Sequence, residues 1–543
     1  MRRTLIMLIV GVFLWVGVPV HAQPQAQDSI PPDEPDTAAF IHANFHLQTS
    51  YHAVLCVAGD TACPTEITAR VPCLTADCNN ADQNYPVSQT FDTIQAASDA
   101  AQAGDLIIIM PGHHAGVEVD SIGGDEGAYI HFLGWGDPGS VVIDAPADPD
   151  KGYLRHHFYF VDAHHYIIQN LAFEGAERAG IFFTGYFEAT GHFSHHFVVL
   201  DVYSHDNGSW GLHTTATNYI LIQDSFFTNS EEEHGIYISG SGDNVVIRRN
   251  VLQGNTAAGV QVNADPLSAG LNVFYWLQET TGDTCDVSEE AIDSGGSATW
   301  EDIKACYDSQ GLPDLGEFFE DGISENVIIE QNIITGNGEA GGAGINLASV
   351  RNSVIRNNLI YGNDAAAITC WDDAYGEDKG LDPSPFGCQD VRILNNTMAD
   401  ESGGRGALIF SNNARNMVVF NNVIIRERDD AYELANHAGE GLQSGNNYYS
   451  ARYDEESPEA SPESNSITGF TVAEGLAQFS NPNFEAWIVE DGAWPVLNPN
   501  RPDYHPIAGS VLLTRGNPDY RSVLDLAGQP RGGTEIGAFG QQQ

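Results

Sequence analysis

Eight times in this chain a short apolar run ends on Asn or Asp and a new segment begins: IIQN-L, VVLD-V, LIQD-S, VIRRN-V, IIEQN-I, VIRNN-L, ILNN-T and VVFNN-V. The marked residues are Asn170, Asp201, Asp224, Asn250, Asn332, Asn358, Asn396 and Asn422, spaced 31, 23, 26, 82, 26, 38 and 26 apart. Four residues past each apolar start lies a second polar column: Asp206, Asn229, Asn255, Asn337 and Asn363. A third segment opens on Gly, as GIFF, GLHT, GIYI, GVQV and GINL. A coil of about 25 residues with short strands and polar turns cannot bury its apolar side alone, so stacked coils must share one core. The repeat therefore predicts an all-β parallel β-helix solenoid. A β-propeller needs blades of about 40–50 residues and does not fit. Both polar columns are expected to be hydrogen-bonded ladders at the turns.

The repeat is framed by other segments. Residues 2–3 are Arg-Arg, an apolar stretch follows, and Val20-His21-Ala22 ends on a small residue. That is the pattern of a secretory signal peptide over 1–22. A flexible leader is expected over 23–50, then a single β-helix domain over 51–540. TFDTIQAASDAAQAG predicts a short capping helix near 91–103, begun by Thr90 and ended by Gly104, with a buried strand over 106–110 after it. The 82-residue gap is one coil plus an insert, 266–321. DEESPEASPESNSI at 453–466 reads as an acidic loop.

Eight cysteines in local clusters suit export and disulfides. Cys285 with Cys306 is expected to staple the insert, and Cys370 with Cys388 a shorter excursion. Cys56, Cys63, Cys73 and Cys78 allow three connectivities. Lys plus Arg is 22 against 74 Asp plus Glu, a formal net charge of −52. Such a field repels phosphate backbones and anionic lipid, which argues against nucleic-acid and membrane-surface partners.

The cap-helix stretch, the Asn-marked coils from 160 to 425, and the end HPIAGSVLLTRGNP…DLAGQPRGGTEIGAFG together resemble the secreted right-handed parallel β-helix proteins of the pectate-lyase-like superfamily. The resemblance implies a right-handed solenoid and an extracellular or periplasmic protein; a monomer acting on an extracellular polysaccharide is expected. It is weakly specific for chemistry, since lyases, hydrolases and epimerases share the fold.

Side chains alternate along a strand, so the residue after each Gly points inward and the next points out. The outward column is Phe182, His213, Tyr237, Gln261 and Asn346, with Thr215, Ser239 and Asn263 two residues further on and Asp265 beyond. Glu233 and His234 precede Tyr237, and His205, Asp206 and Trp210 precede His213. The insert leaves beside this patch. His213, His234, Tyr237 and Glu233 are the candidate catalytic residues. Gln261, Asn263, Asp265, Asn346, His205, Asp206 and Trp210 are the candidate substrate contacts. A polysaccharide lyase acting on a uronic acid needs a base (His213 or His234), an acid (Tyr237) and groups that neutralise the carboxylate (Gln261, Asn263). The alternatives are a glycoside hydrolase, best served by Glu233 with Asp206, and a non-catalytic glycan-binding protein. The Asp pairs Asp372-Asp373 and Asp429-Asp430 and the three lysines, Lys151, Lys304 and Lys379, are expected to lie away from the patch. Ten of the 19 His fall between His156 and His234, in pairs such as His164-His165 and His195-His196. Stacked His columns could bind a transition metal, yet no spacing motif names a ligand set. Calcium at an acidic turn is the cofactor the composition allows.

Overall fold

The computed structural model describes residues 36–540 apart from 76–79, 152–154, 382, 400–405, 412, 427–431, 435–439, 451–464, 491–493 and 533. The expected signal peptide, nearly all of the acidic loop, Cys78 and the Asp429-Asp430 pair lie outside the described residues.

Three parallel sheets of 13, 12 and 10 strands run the length of the body, each strand pairing with its counterparts one coil before and after. Inward residues such as Phe160, Ile181, Leu212, Ile236, Val260 and Ile345 are fully buried in one core shared by all coils. The helix at the N-terminal end is Ile94–Ala100, capped by Thr93. It starts later than expected because Thr90 belongs to the strand Gln89–Phe91. Ile94 and Ala97 plug the open end of the core.

The two polar columns each turn out to be two columns, side by side. In one, Asn250, Asn332, Asn358, Asn396, Asn422 and Asn447 form a buried ladder. From Asn250 to Asn422 each backbone N–H donates to the Oδ1 one coil on, at 2.8–3.0 Å, and the Asn447 N–H ends the run on Ser466 Oγ. Asn170, Asp201 and Asp224 are not on it. They occupy the preceding left-handed position, with φ of 55°, 49° and 55°, as Arg249, Gln331 and Asn357 do in later coils. Ser225 takes the ladder place there and accepts from Val202 N–H. The second ladder likewise holds Asn255, Asn337 and Asn363, with Asn207 at the equivalent place, while Asp206 and Asn229 stand one residue earlier at φ 51° and 53°. Asn and Asp suit a left-handed turn and a buried ladder alike, so composition could not separate the two.

The leader is not flexible throughout. Thr37–Asn44 is a helix capped by Asp36. Its Ile41, with Phe45, packs on the outer face of the 13-stranded sheet against Ile167, Val198 and Leu221. Thr37 Oγ1 donates to Glu330 Oε2 at 2.9 Å, and Arg356 donates to both Glu330 and Thr37. At the other end the coils stop at Ile467–Thr468. The chain then covers the outer face of the 12-stranded sheet, where Phe479, Ile488, Tyr504, Leu512 and Ile536 pack on Leu359, Tyr361 and Val423.

The insert is helical, with helices at Pro266–Thr281, Glu289–Ile292 and Trp300–Ser309. The body pairs across it, Val246 with Ile328 and Gln261 with Asn346. Cys285–Cys306 staples it and Cys370–Cys388 closes the shorter excursion. Cys56 pairs with Cys63. The inner face of the insert shares an apolar cluster with Phe187, Phe193, Tyr375 and Phe386 of the body. Deleting 268–320 should therefore keep the strand signal in circular dichroism but expose this cluster, raising dye binding and lowering solubility. Loss of the strand signal would show that the insert is integral to the coils. Among the described residues no helix is long and apolar enough to cross a membrane.

Candidate functional site

The outward column of the 10-stranded sheet is continuous: Tyr159, Phe182, His213, Tyr237, Gln261, Asn346 and Thr369 stand on seven successive coils. Parallel strands lie about 4.8 Å apart, which is also ring-stacking distance. Tyr159 stacks on Phe182, Phe182 on His213 at 4.6 Å, and His213 on Tyr237 at 4.8 Å. Trp210 leans on His213 at 4.2 Å, and the Arg178 guanidinium lies over the Trp210 ring, 4.6 Å from its centroid. The far end is amide and hydroxyl. Asn346 Nδ2 donates to Gln261 Oε1 at 2.6 Å, and Asn346 Oδ1 accepts from Thr369 and from Trp371 Nε1. The Gln261 amide NH2 is left without an acceptor among the described residues.

His213 and Tyr237 point out of the core as parity requires, but they are half-buried rather than open. The Ser239 hydroxyl donates to the Thr214 carbonyl at 2.7 Å, so His213 Nε2–H must donate to Ser239 Oγ, 3.1 Å away. His213 Nδ1 is buried without a partner. Burial, then the nearby His156 and Arg178, hold this imidazole well below its usual pKa, so it is neutral. His234 is neutral too, pushed down to about 3 by burial. The Ala258 N–H donates to its Nδ1 at 3.0 Å, which places the ring proton on Nε2, 3.3 Å from Glu233 Oε2. Neither histidine therefore offers a free, accessible lone pair. Glu233 is more open, and burial and then Glu232 raise its pKa. Burial, then Asp265, Asp373 and Glu233, keep the Tyr237 hydroxyl protonated far above the usual range.

Asp373 belongs to the patch, contrary to the sequence expectation. Its Oδ2 accepts from Asn263 Nδ2 at 3.2 Å, and its pKa is raised to about 6 by burial and then by Asp265. Lys379 also acts on Asp373 from the same excursion. Sequence reasoning missed both because the Gly-led column stops at GINL. The next coil, AAITCW, opens on Ala, so Thr369, Trp371 and the acids after them were never placed in register. Arg178 was missed because it precedes its strand.

Other candidates are not brought together. The chain turns a corner after His205, so His205 and Asp206 lie with the 12-stranded sheet. There His205 stacks on Tyr203 at 4.1 Å and its Nδ1 bonds Asp206 Oδ2 at 2.7 Å. Asp206 also accepts from Asn229, and Glu233 faces His234, so each carboxylate of the pair Glu233–Asp206 is bonded to the histidine beside it in sequence. Asp265, by contrast, stays beside the patch, where its charge raises the pKa of Tyr237 and of Asp373, while it also caps the insert helix and accepts from Ser268 N and Oγ.

Asp373→Asn tests the electrostatics. The folded carboxyl holds its proton up to about pH 6, the unfolded one only to about 4. The associated stability is thus full below pH 4 and lost as pH rises to 6. The variant should be more stable than wild type at pH 7.5 by about 1–2 kcal/mol, allowing for partial exposure, and equal near pH 4. Denaturant midpoints at the two pH values check this.

A family model described as "Right handed beta helix region" matches residues 154–275 and 316–448, the gap falling on the insert. Among solved structures, pectate lyase Pel9A matches over 92% of this chain and 99% of its own at 13% identity, TM-score 0.50. The Azotobacter vinelandii mannuronan C-5 epimerase AlgE6 A-module matches over 70% and 93% at 15%, TM-score 0.41. The alginate lyase from Paenibacillus sp. str. FPU-7 matches over 63% and 94% at 18%, TM-score 0.35. No curated protein matches the sequence. At such identities the likeness is one of fold. With three stacked parallel sheets, shared inward columns and the match on both sides of the insert, this chain has the right-handed parallel β-helix fold.

Proposed function

We propose that the protein is an exported polysaccharide lyase that cleaves a uronic-acid-containing glycan by β-elimination on the outer face of the 10-stranded sheet. The observation that carries this reading is the protonated Tyr237, stacked on neutral His213 and flanked by the raised carboxylates Glu233 and Asp373. The aromatic strip from Tyr159 to Tyr237 is a surface for sugar rings. Arg178 at one end and Lys379 at the other place cations beside the patch in a chain of strongly negative charge, which favours an anionic sugar. In this reading Glu233, oriented by His234, takes the proton α to the uronate carboxylate. Tyr237 gives its hydroxyl proton to the leaving oxygen. The Gln261 amide binds the carboxylate as negative charge builds, and Arg178 holds a neighbouring anionic sugar. His213 is a positioning residue that holds the Tyr237 ring. The sequence candidates for the base, the two histidines, give way to Glu233 because their lone pairs are engaged or buried.

A glycoside hydrolase is the second reading. It is favoured by Asp373, whose raised pKa gives a proton-holding acid to set against Glu233. A panel of polysaccharides read by ultraviolet absorbance of unsaturated uronate and by reducing ends separates the readings. Absorbance with new reducing ends supports the lyase, reducing ends alone support the hydrolase, and binding without either leaves a glycan-binding protein.

A further inference from the structure

The strand His164–Gln169 opens on two histidines, the adjacent strand Ser194–Leu200 carries two directly after its first residue, and His164 pairs in register with His195. His165 and His196 are left-handed, φ 58° and 61°. That local reversal turns consecutive side chains to the same outer face. The four rings form a square. His164 lies flat against His195 at 5.0 Å and His165 against His196 at 4.6 Å. Across each pair the planes are nearly perpendicular, with Nδ1 to Nδ1 distances of 3.0 Å for His164–His165 and 2.8 Å for His195–His196. One ring nitrogen from each of His165, His195 and His196 lies within 4.8 Å of the others.

The surroundings hold this square in place. Tyr129 meets His165 edge-on at 4.9 Å, Tyr219 stacks on His196 at 4.5 Å, Phe45 of the leader approaches His196, and Phe318 of the insert meets His195 at 5.5 Å. Gly123 backs His164 so closely that a Cβ there would come within 2.5 Å of Nδ1. Nothing in the proposed glycan chemistry uses this cluster, which lies on a different sheet.

We propose that His164, His165, His195 and His196 bind one divalent late first-row transition-metal ion. Ligands of a tetrahedral zinc, each about 2.0–2.1 Å from the metal, stand about 3.3 Å apart. The spacing within each pair is already close to that, and the ring nitrogens of His165, His195 and His196 lie within 4.8 Å of one another, so these three close on one ion by a small tilt while His164, outside that group, must swing further to join them. Within each pair one Nδ1 now donates to the other. Ligation by Nδ1 requires the donor ring to move its proton to Nε2, a tautomer change with no net loss of charge or protons. An all-imidazole set selects zinc, copper or nickel over calcium or magnesium, which take oxygen ligands. The ion would sit where leader, body and insert meet, and would clasp them.

The test is calorimetric titration of the chelator-stripped mature protein with zinc chloride, with calcium chloride as the control, alongside thermal melts. Wild type should take up one equivalent of zinc with a higher melting temperature, and calcium should do neither. The comparison protein is His165→Asn/His196→Asn. Asn already occupies this left-handed column at Asn244, Asn326, Asn352 and Asn416, so the stripped double variant should melt near the stripped wild type. Its zinc affinity should fall about 100-fold or more. Should that variant fail to fold, His195→Gln, at an ordinary strand position, gives the same comparison. Absence of stoichiometric zinc binding by wild type, or wild-type affinity in a folded variant, overturns the proposal.

Discussion

Tyr237→Phe should lower turnover by about 10²-fold or more on any glycan the wild type cleaves, the usual worth of a positioned proton donor. Folding should be unaffected, because the ring keeps its stack on His213 and only a hydroxyl near Asn263 is lost. Glu233→Gln should be at least as severe, since it removes the base in the lyase reading and a catalytic carboxylate in the hydrolase one. His234→Ala should cost less than Glu233→Gln and act through it. Losing His234 removes the N–H facing Glu233 and leaves the Ala258 N–H without its acceptor. The decisive measurement is steady-state turnover of the three variants beside their far-ultraviolet dichroism. Full activity in Tyr237→Phe and Glu233→Gln would mean that the chemistry is not on this face.

The second large effect concerns stability. Asn332→Ala should cost about 3–5 kcal/mol. Asn332 is fully buried, accepts from Asn250 N–H, and donates to the Ile247 carbonyl and to Asn358 Oδ1. Truncation leaves several buried polar groups unsatisfied, at about 1–3 kcal/mol each, offset in part by relaxation. Asn255→Ala should behave the same way in the second ladder. Asn229→Ala should cost no more than about 1 kcal/mol, because its bond to Asp206 lies at the surface, and the main penalty is that of a non-glycine residue at positive φ. Chemical denaturation of the three variants distinguishes ladder from turn. Equal losses for Asn229 and Asn332 would contradict the split into two columns.

That split shows where sequence reading reached its limit. Period, strand parity and the outward column from Phe182 to Asn346 could be read from the letters alone. A coil's hydrophobic alternation is a local property, and one misplaced residue would turn every inward side chain out. The Asn columns blurred by one residue because a left-handed turn and a ladder select the same amino acids, and only the hydrogen bonds tell them apart. Candidates in the same strand column stayed together, as His213, Tyr237 and Gln261 did. Those separated by a corner parted, as His205 and Asp206 did from Trp210, because a turn's direction is not encoded in spacing.

The sequence by itself determined the solenoid, its core-facing residues and the acidic field, all of which follow from short-range periodicity and composition. Tertiary structure alone decided what came from far along the chain. Asp373 and Lys379 reached the patch on an excursion 110 residues beyond Asn263. The leader helix docked on Glu330, 293 residues away. The tautomers of His213 and His234 were fixed by Ser239 and by the Ala258 amide of the next coil. Contacts of that range depend on how loops fold back and how coils stack, and no local pattern of residues carries that information.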